Sequence, residues 1–187
     1  MATITARNGV NVEQLIATIG AVQQDANVGA FTLKASSTWR SGARNDGEIK
    51  DFVHAGQPAA RPAAFRLVGD EPPVLLGSNE GPNAVELLLQ ALGFCYAVGY
   101  VYNAAARGID ISELRYEIEG DLDLHSFLGL EGPRAGFSAI RATSWVKSPN
   151  AGKEQLEELC QYVQDTSPVR DCLANPVPIK TELIGLD

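Results

Sequence analysis

The sequence predicts an α+β domain in which helices pack on an antiparallel sheet, and three observations carry that prediction. The run "ELLLQALGFCYAVGYVYNAAARG", Glu86 to Gly108, is almost uninterruptedly apolar and has the length of one long helix. Two strand-like runs follow it, "ISELRYEIEGDLDL" and "AGFSAIRATSWVK", with a turn-rich connection that suits a hairpin. The whole order is helix, strands, long helix, two strands, helix, strand, with no internal repeat, low-complexity segment or linker. A length of 187 residues suffices for one domain with a real core and does not require two.

Taken in order, "NVEQLIATIGAVQQDA" places Val12, Leu15, Ile16, Ile19 and Val22 at helical spacing, with Asn11 as N-cap. "GAFTLKASSTW" is rich in strand formers, with Phe31, Leu33 and Ala35 on one face, and "RSGARNDG" is turn chemistry. "EIKDFVHAG" and "AAFRLVG" read as two more strands, and "DEPPVLLGSNEGPN" as a loop. The long helix covers about residues 84 to 107 and closes on Gly108. "DLDLH" continues the first hairpin strand by its alternation. "GKEQLEELCQYVQDT" is a helix with Leu156, Leu159, Cys160 and Val163 on one face. "SPVRDCLANP" is a short helix with Ser167 as N-cap and Pro168 as its first residue, and "VPIKTELI" is a last strand.

Composition narrows the function. The apolar fraction is 45%, the charged fraction 20%, and the net charge −8, with no basic cluster. Nucleic acid and anionic membrane are poor partners for such a surface. The long apolar run is broken by Gln90, Asn103, Arg107 and glycines, so it reads as a buried helix and not a membrane span. "MATITARNGV" lacks the basic segment and apolar core of a secretory signal. Three scattered cysteines, Cys95, Cys160 and Cys172, argue for a reducing, cytoplasmic setting. Neither they nor His54 and His125 have metal-ligand spacing, so no metal and no cofactor is expected.

Three ordered stretches, the loop and helix "GSNEGPNAVELLLQALGFC", the strand opening "GFSAI" and the ending "SPVRDCLANPVPIKTEL", together resemble the OsmC/Ohr family of peroxide-resistance proteins. The resemblance covers residues 29–187 and leaves 1–28 as an added helical extension. It implies an OsmC-like fold, an intertwined homodimer with two sites at the subunit interface, and thiol-dependent reduction of organic hydroperoxides. Cys95 in "ALGFC" matches the family's peroxidatic cysteine. Glu86 in "VELLL" matches its assisting glutamate, and Arg44 its arginine, with Arg40 as competitor. The second, resolving cysteine is missing: Ser167 stands in its place, and Cys172 follows five residues later.

The residues place their own demands on that chemistry. A peroxidatic thiol attacks as the thiolate, and an apolar surrounding disfavours the charge, so a cation such as Arg44 or Arg40 must offset it. Its sulfenic acid product needs a thiol to escape further oxidation. Without a cysteine at position 167, that thiol is Cys172 or an external reductant. Nine residues separate Glu86 from Cys95, about 900° of rotation and about 13 Å of rise, which puts them on opposite faces of one straight helix. Glu86 then assists the Cys95 of its own chain only if the helix begins later or bends; otherwise it meets a Cys95 across a subunit interface, or serves simply as an acid in the first helical turn. Ser167 suits an N-cap without any catalytic role. A buried free cysteine also packs as a small hydrophobe, and with the second cysteine lost a pocket binding a small apolar ligand is the alternative function.

Overall fold

The computed structural model describes residues 6–185 of the chain. A two-stranded ribbon, β1 (Ala6–Arg7) with β2 (Val10–Asn11), leads into helix α1 (Val12–Gln24). The Asn11 side chain accepts the Gln14 N–H at 3.0 Å and so caps α1. Ile16, Ile19 and Val22 of α1 remain exposed. Asn8, in the tight turn between β1 and β2, ties this segment to the far side of the chain: its amide donates to the Ile109 carbonyl at 2.9 Å, and its oxygen accepts the Ile111 N–H at 2.8 Å.

The next four strands form one antiparallel sheet. β3 (Phe31–Leu33) and β4 (Ser36–Ser41) both pair with one edge of β5 (Arg44–His54), and β6 (Gln57–Gly69) pairs with the other. The sequence reading needs three corrections here. "GAFTLKASSTW" is two strands, not one. The turn expected over "RSGARNDG" shrinks to Gly42 and Ala43, with Gly42 at φ +53, so Arg44 already belongs to β5. The strand expected at "AAFRLVG" starts earlier, at Gln57. The longer strand accommodates Pro62 because it falls where the β5–β6 register shifts between Ile49 and Asp51, so no ladder bond is lost to its missing N–H.

Helix α2 (Ala84–Ala106) opens on a capping box: the Asn83 side chain accepts the Glu86 N–H, and the Glu86 carboxylate accepts the Asn83 N–H, both at 2.8 Å. Gly108, at φ +75, carries the chain out of it. The hairpin of β7 (Glu113–Asp121) and β8 (Ala139–Lys147) follows in full antiparallel register. "DLDLH" does not extend β7, which ends at Asp121; His125 sits in the connection, bonded to Asp123 at 2.6 Å. Helices α3 (Lys153–Thr166) and α4 (Pro168–Ala174) complete the order.

One core unites these later elements. Leu92, Tyr96, Tyr100 and Ala104 recur every fourth residue and form a ridge along α2. Leu159 and Val163 of α3 pack on it, and alternate residues of β7, Leu114, Tyr116 and Ile118, close it from below. Tyr100 is fully buried, and its hydroxyl donates to the Leu156 carbonyl at 2.9 Å.

Much apolar surface stays outside that core. On α2, Leu88, Phe94, Val98 and Tyr102 face solvent, as do Leu33, Trp39 and Phe65 on the four-stranded sheet. The chain exposes 13720 Å², against roughly 8,700 Å² for a compact monomer of this size. The last strand expected in "VPIKTELI" does not form: residues 175–185 hold no helix or strand, and Ile179, Leu183 and Ile184 are exposed. Alternation supplies a face, but a strand also needs a neighbour to bond, and among the described residues none pairs with this segment.

Candidate functional site

Cys95 lies in the middle of α2 and is half-buried. Its sulfur is 3.1 Å from the hydroxyl oxygen of Ser167, at the junction of α3 and α4. That junction follows from the dipeptide Ser167-Pro168. Proline cannot continue α3 without losing a hydrogen bond but suits the first position of α4, and serine suits the cap before it. The Ser167 oxygen accepts the Arg170 N–H at 3.2 Å, and the residue is 5% exposed. The resulting bend turns the cap side chain toward α2.

The surroundings are aromatic and poorly solvated. Tyr96, next to Cys95, has its hydroxyl pushed above the ordinary tyrosine range by burial, with the Arg170 guanidinium pulling the other way. Burial also raises Tyr116, and it pushes Tyr100 up to about 12. These phenols stay neutral at physiological pH.

The other expected site residues lie elsewhere in the chain. Arg44, at the start of β5, pairs with Glu80 and lies 3.7 Å from Asp46. Arg40 pairs with Asp46 at 2.7 Å, and this hydrogen bond is the main cause that holds the Asp46 carboxyl below its ordinary value. Glu86 is engaged in the capping box of α2. Among the described residues neither arginine is hydrogen-bonded to Cys95 within the chain. Cys172 is exposed on α4, beside a groove of about 620 Å³ that Leu88, Leu92, Tyr96, Arg134 and Arg170 help to line. Cys160 packs half-buried beside the core, 3.8 Å from the Ser144 hydroxyl. All three thiols are free, and among the described residues no three His, Cys, Asp or Glu side chains gather as metal ligands.

Two residues here escaped the sequence reading. Glu80, not Glu86, is the acid that meets Arg44. Its place is set by Asp70, which is 4% exposed and accepts three backbone N–H groups: Glu71 at 2.8 Å, Ser78 at 3.0 Å and Glu80 at 3.1 Å. The loop closes this tightly because Gly77 and Gly81 lack side chains; a Cβ at Gly77 would overlap the Glu71 backbone, and at Gly81 the Val68 carbonyl. The only sequence signal was an acid, Asp70, directly after a strand and before a loop with two glycines.

A family model described as OsmC-like protein matches residues 77–182. Among solved structures, the chain is similar to an OsmC-like protein from Mycoplasma pneumoniae: TM-score 0.59, 16% identity, covering 78% of this chain and 89% of that one. It is similar to an OsmC-like protein of unknown function from Vibrio cholerae, with TM-score 0.56 and 12% identity over 74% of this chain and 91% of that one. An organic hydroperoxide resistance protein OsmC from Legionella pneumophila gives TM-score 0.53 and 15% identity over 76% and 88%. At such identities the likeness is one of fold. A search of curated proteins returned no match.

Proposed function

Since the chain belongs to the OsmC-like family, whose model spans more than half of it, we propose that it is a thiol-dependent peroxidase that reduces organic hydroperoxides through Cys95. The observation that carries the reading is the 3.1 Å contact between Cys95 and Ser167, because Ser167 stands where the family resemblance expects the partner thiol. The Cys95 thiolate attacks the distal peroxide oxygen. The O–O bond breaks, the alcohol leaves with a proton, and Cys95 becomes a sulfenic acid. An external thiol condenses with it to a mixed disulfide and releases water. A second thiol regenerates Cys95 and leaves as the oxidised disulfide. Cys172 is a weaker candidate for that partner, since it is exposed and it is Ser167 that touches Cys95.

The working unit in this reading is a homodimer with the site at its interface. The surface left uncovered and the apolar residues exposed on α2 and on the four-stranded sheet support it. Arg44, oriented by Glu80, supplies the cation across that interface, while Glu86 caps α2. No resident cofactor is needed, and the reaction suits a reducing cytoplasm.

The test is trapping with dimedone after cumene hydroperoxide. The wild-type chain forms the adduct at Cys95 and consumes peroxide only with added thiol, and Cys95→Ser does neither. Peroxide consumption that survives Cys95→Ser sinks the proposal. An open groove of about 650 Å³ beside α2, lined by Leu87, Leu89, Phe94, Leu114 and Ile118 among others, favours a second reading, the binding of a small apolar ligand. That reading expects ligand affinity to be unchanged in Cys95→Ser.

A further inference from the structure

We propose that Ser167 donates its hydroxyl proton to the Cys95 thiolate, a role beyond capping α4 and beyond marking an absent cysteine. The proposal deepens the reading of Cys95 as the reactive thiol and rests on it.

A serine hydroxyl has one proton to give and two lone pairs to receive. One lone pair of Ser167 is taken by the Arg170 N–H at 3.2 Å. The proton then needs an acceptor, because the residue is buried and an unpaired buried hydroxyl is costly. Among the described residues the other hydrogen-bond neighbour of that oxygen is the Cys95 sulfur, at 3.1 Å. A neutral thiol accepts weakly, whereas a thiolate accepts strongly. The bond therefore gains most when Cys95 is ionised, and it favours the nucleophilic form. Accepting the Arg170 N–H also polarises the Ser167 hydroxyl and strengthens its donation. The substitution thus exchanges one device for another: a cysteine at position 167 would resolve the oxidised thiol, and a serine there activates the reduced one.

The test needs no peroxide. Full-length protein is alkylated with iodoacetamide near neutral pH, and the rate is read at the Cys95 peptide by mass spectrometry in wild type, Ser167→Gly and Ser167→Thr. Glycine is tolerated at a helix N-cap at little cost, so Ser167→Gly removes the hydroxyl while α4 keeps its start. Threonine keeps both functions. We expect Ser167→Gly to slow alkylation about tenfold and Ser167→Thr to stay within about threefold of wild type. Equal rates in wild type and Ser167→Gly overturn the proposal. So does a Ser167→Thr rate as slow as that of Ser167→Gly, because the loss then follows from disturbed packing and not from the hydroxyl. A chain that fails to reduce hydroperoxides overturns the peroxidase reading and leaves these rates as they are, so the two failures are distinguishable.

Discussion

Arg44 is paired with Glu80, 36 residues further along, on the loop that leads into α2. The pair is exposed and adds little stability by itself. Its geometry depends on Asp70, whose carboxylate holds the Glu80 N–H from below. Asp70→Ala leaves three backbone N–H groups without their acceptor and is expected to cost about 3 kcal/mol in urea unfolding. Glu80→Gln, which keeps the backbone bond, is expected to cost under about 0.5 kcal/mol. If Arg44 serves the thiol, both variants lower peroxide turnover, and only Asp70→Ala lowers stability.

Position 167 is also where a second cysteine belongs. Ser167→Cys is expected to form an internal disulfide with Cys95 after one equivalent of hydroperoxide, since only a small adjustment separates a 3.1 Å contact from a bond. Intact mass under non-reducing conditions reads the loss of two hydrogens, and adding Cys95→Ser abolishes it. A free thiol count that stays at four after peroxide treatment rules the pairing out.

Tyr100 gives a prediction for alkaline pH. Burial raises its hydroxyl to about 12 from an ordinary 10.0, so the folded state holds the proton more tightly than the unfolded chain does. Its contribution is complete below about pH 10 and is lost as the pH rises through 12. Tyr100→Phe is expected to lose about 1 kcal/mol at neutral pH, where the bond to the Leu156 carbonyl is gone, and to flatten the decline above pH 10. Urea midpoints measured at neutral and alkaline pH separate the two effects.

Phe94 tests the proposed assembly. It is 67% exposed on α2, one residue before Cys95. Within a single chain, Phe94→Glu relieves apolar exposure and removes only the one-third of the side chain that is covered, so the monomer is expected to stay folded. In a homodimer the same charge lands in the interface and shifts the weight-average mass in sedimentation equilibrium toward one chain. A wild-type chain that sediments as a monomer at micromolar concentration removes the dimer from the proposal.

The elements with local signals were legible in the sequence. Gly108 closes α2, Asn11 opens α1, Ser167-Pro168 starts α4, and the strand character of "ISELRYEIEG" marks β7. Elements set by partners were not. The length of β6 depends on β5 beside it and on a register shift that shelters Pro62. The segment after Ala174 carries strand alternation but has no neighbour to pair with in this chain. The site divides in the same way. Cys95 and Ser167 stood out as residues, but their contact spans 72 positions and no spacing rule reaches that far. Glu80 was passed over for Glu86, which the family resemblance matched to the assisting glutamate and whose place in the first turn of a helix is itself a sequence signal.

The turn at Asn8 has a consequence for the order of events during synthesis. Its two partners, Ile109 and Ile111, are 101 and 103 residues downstream, so they do not yet exist when Asn8 leaves the ribosome. The amino-terminal arm must wait, unlatched, until the long helix is complete, and only then can it clasp the bend that joins α2 to β7. A substitution at Asn8 therefore acts on a closing latch, far in sequence from the bend that it secures.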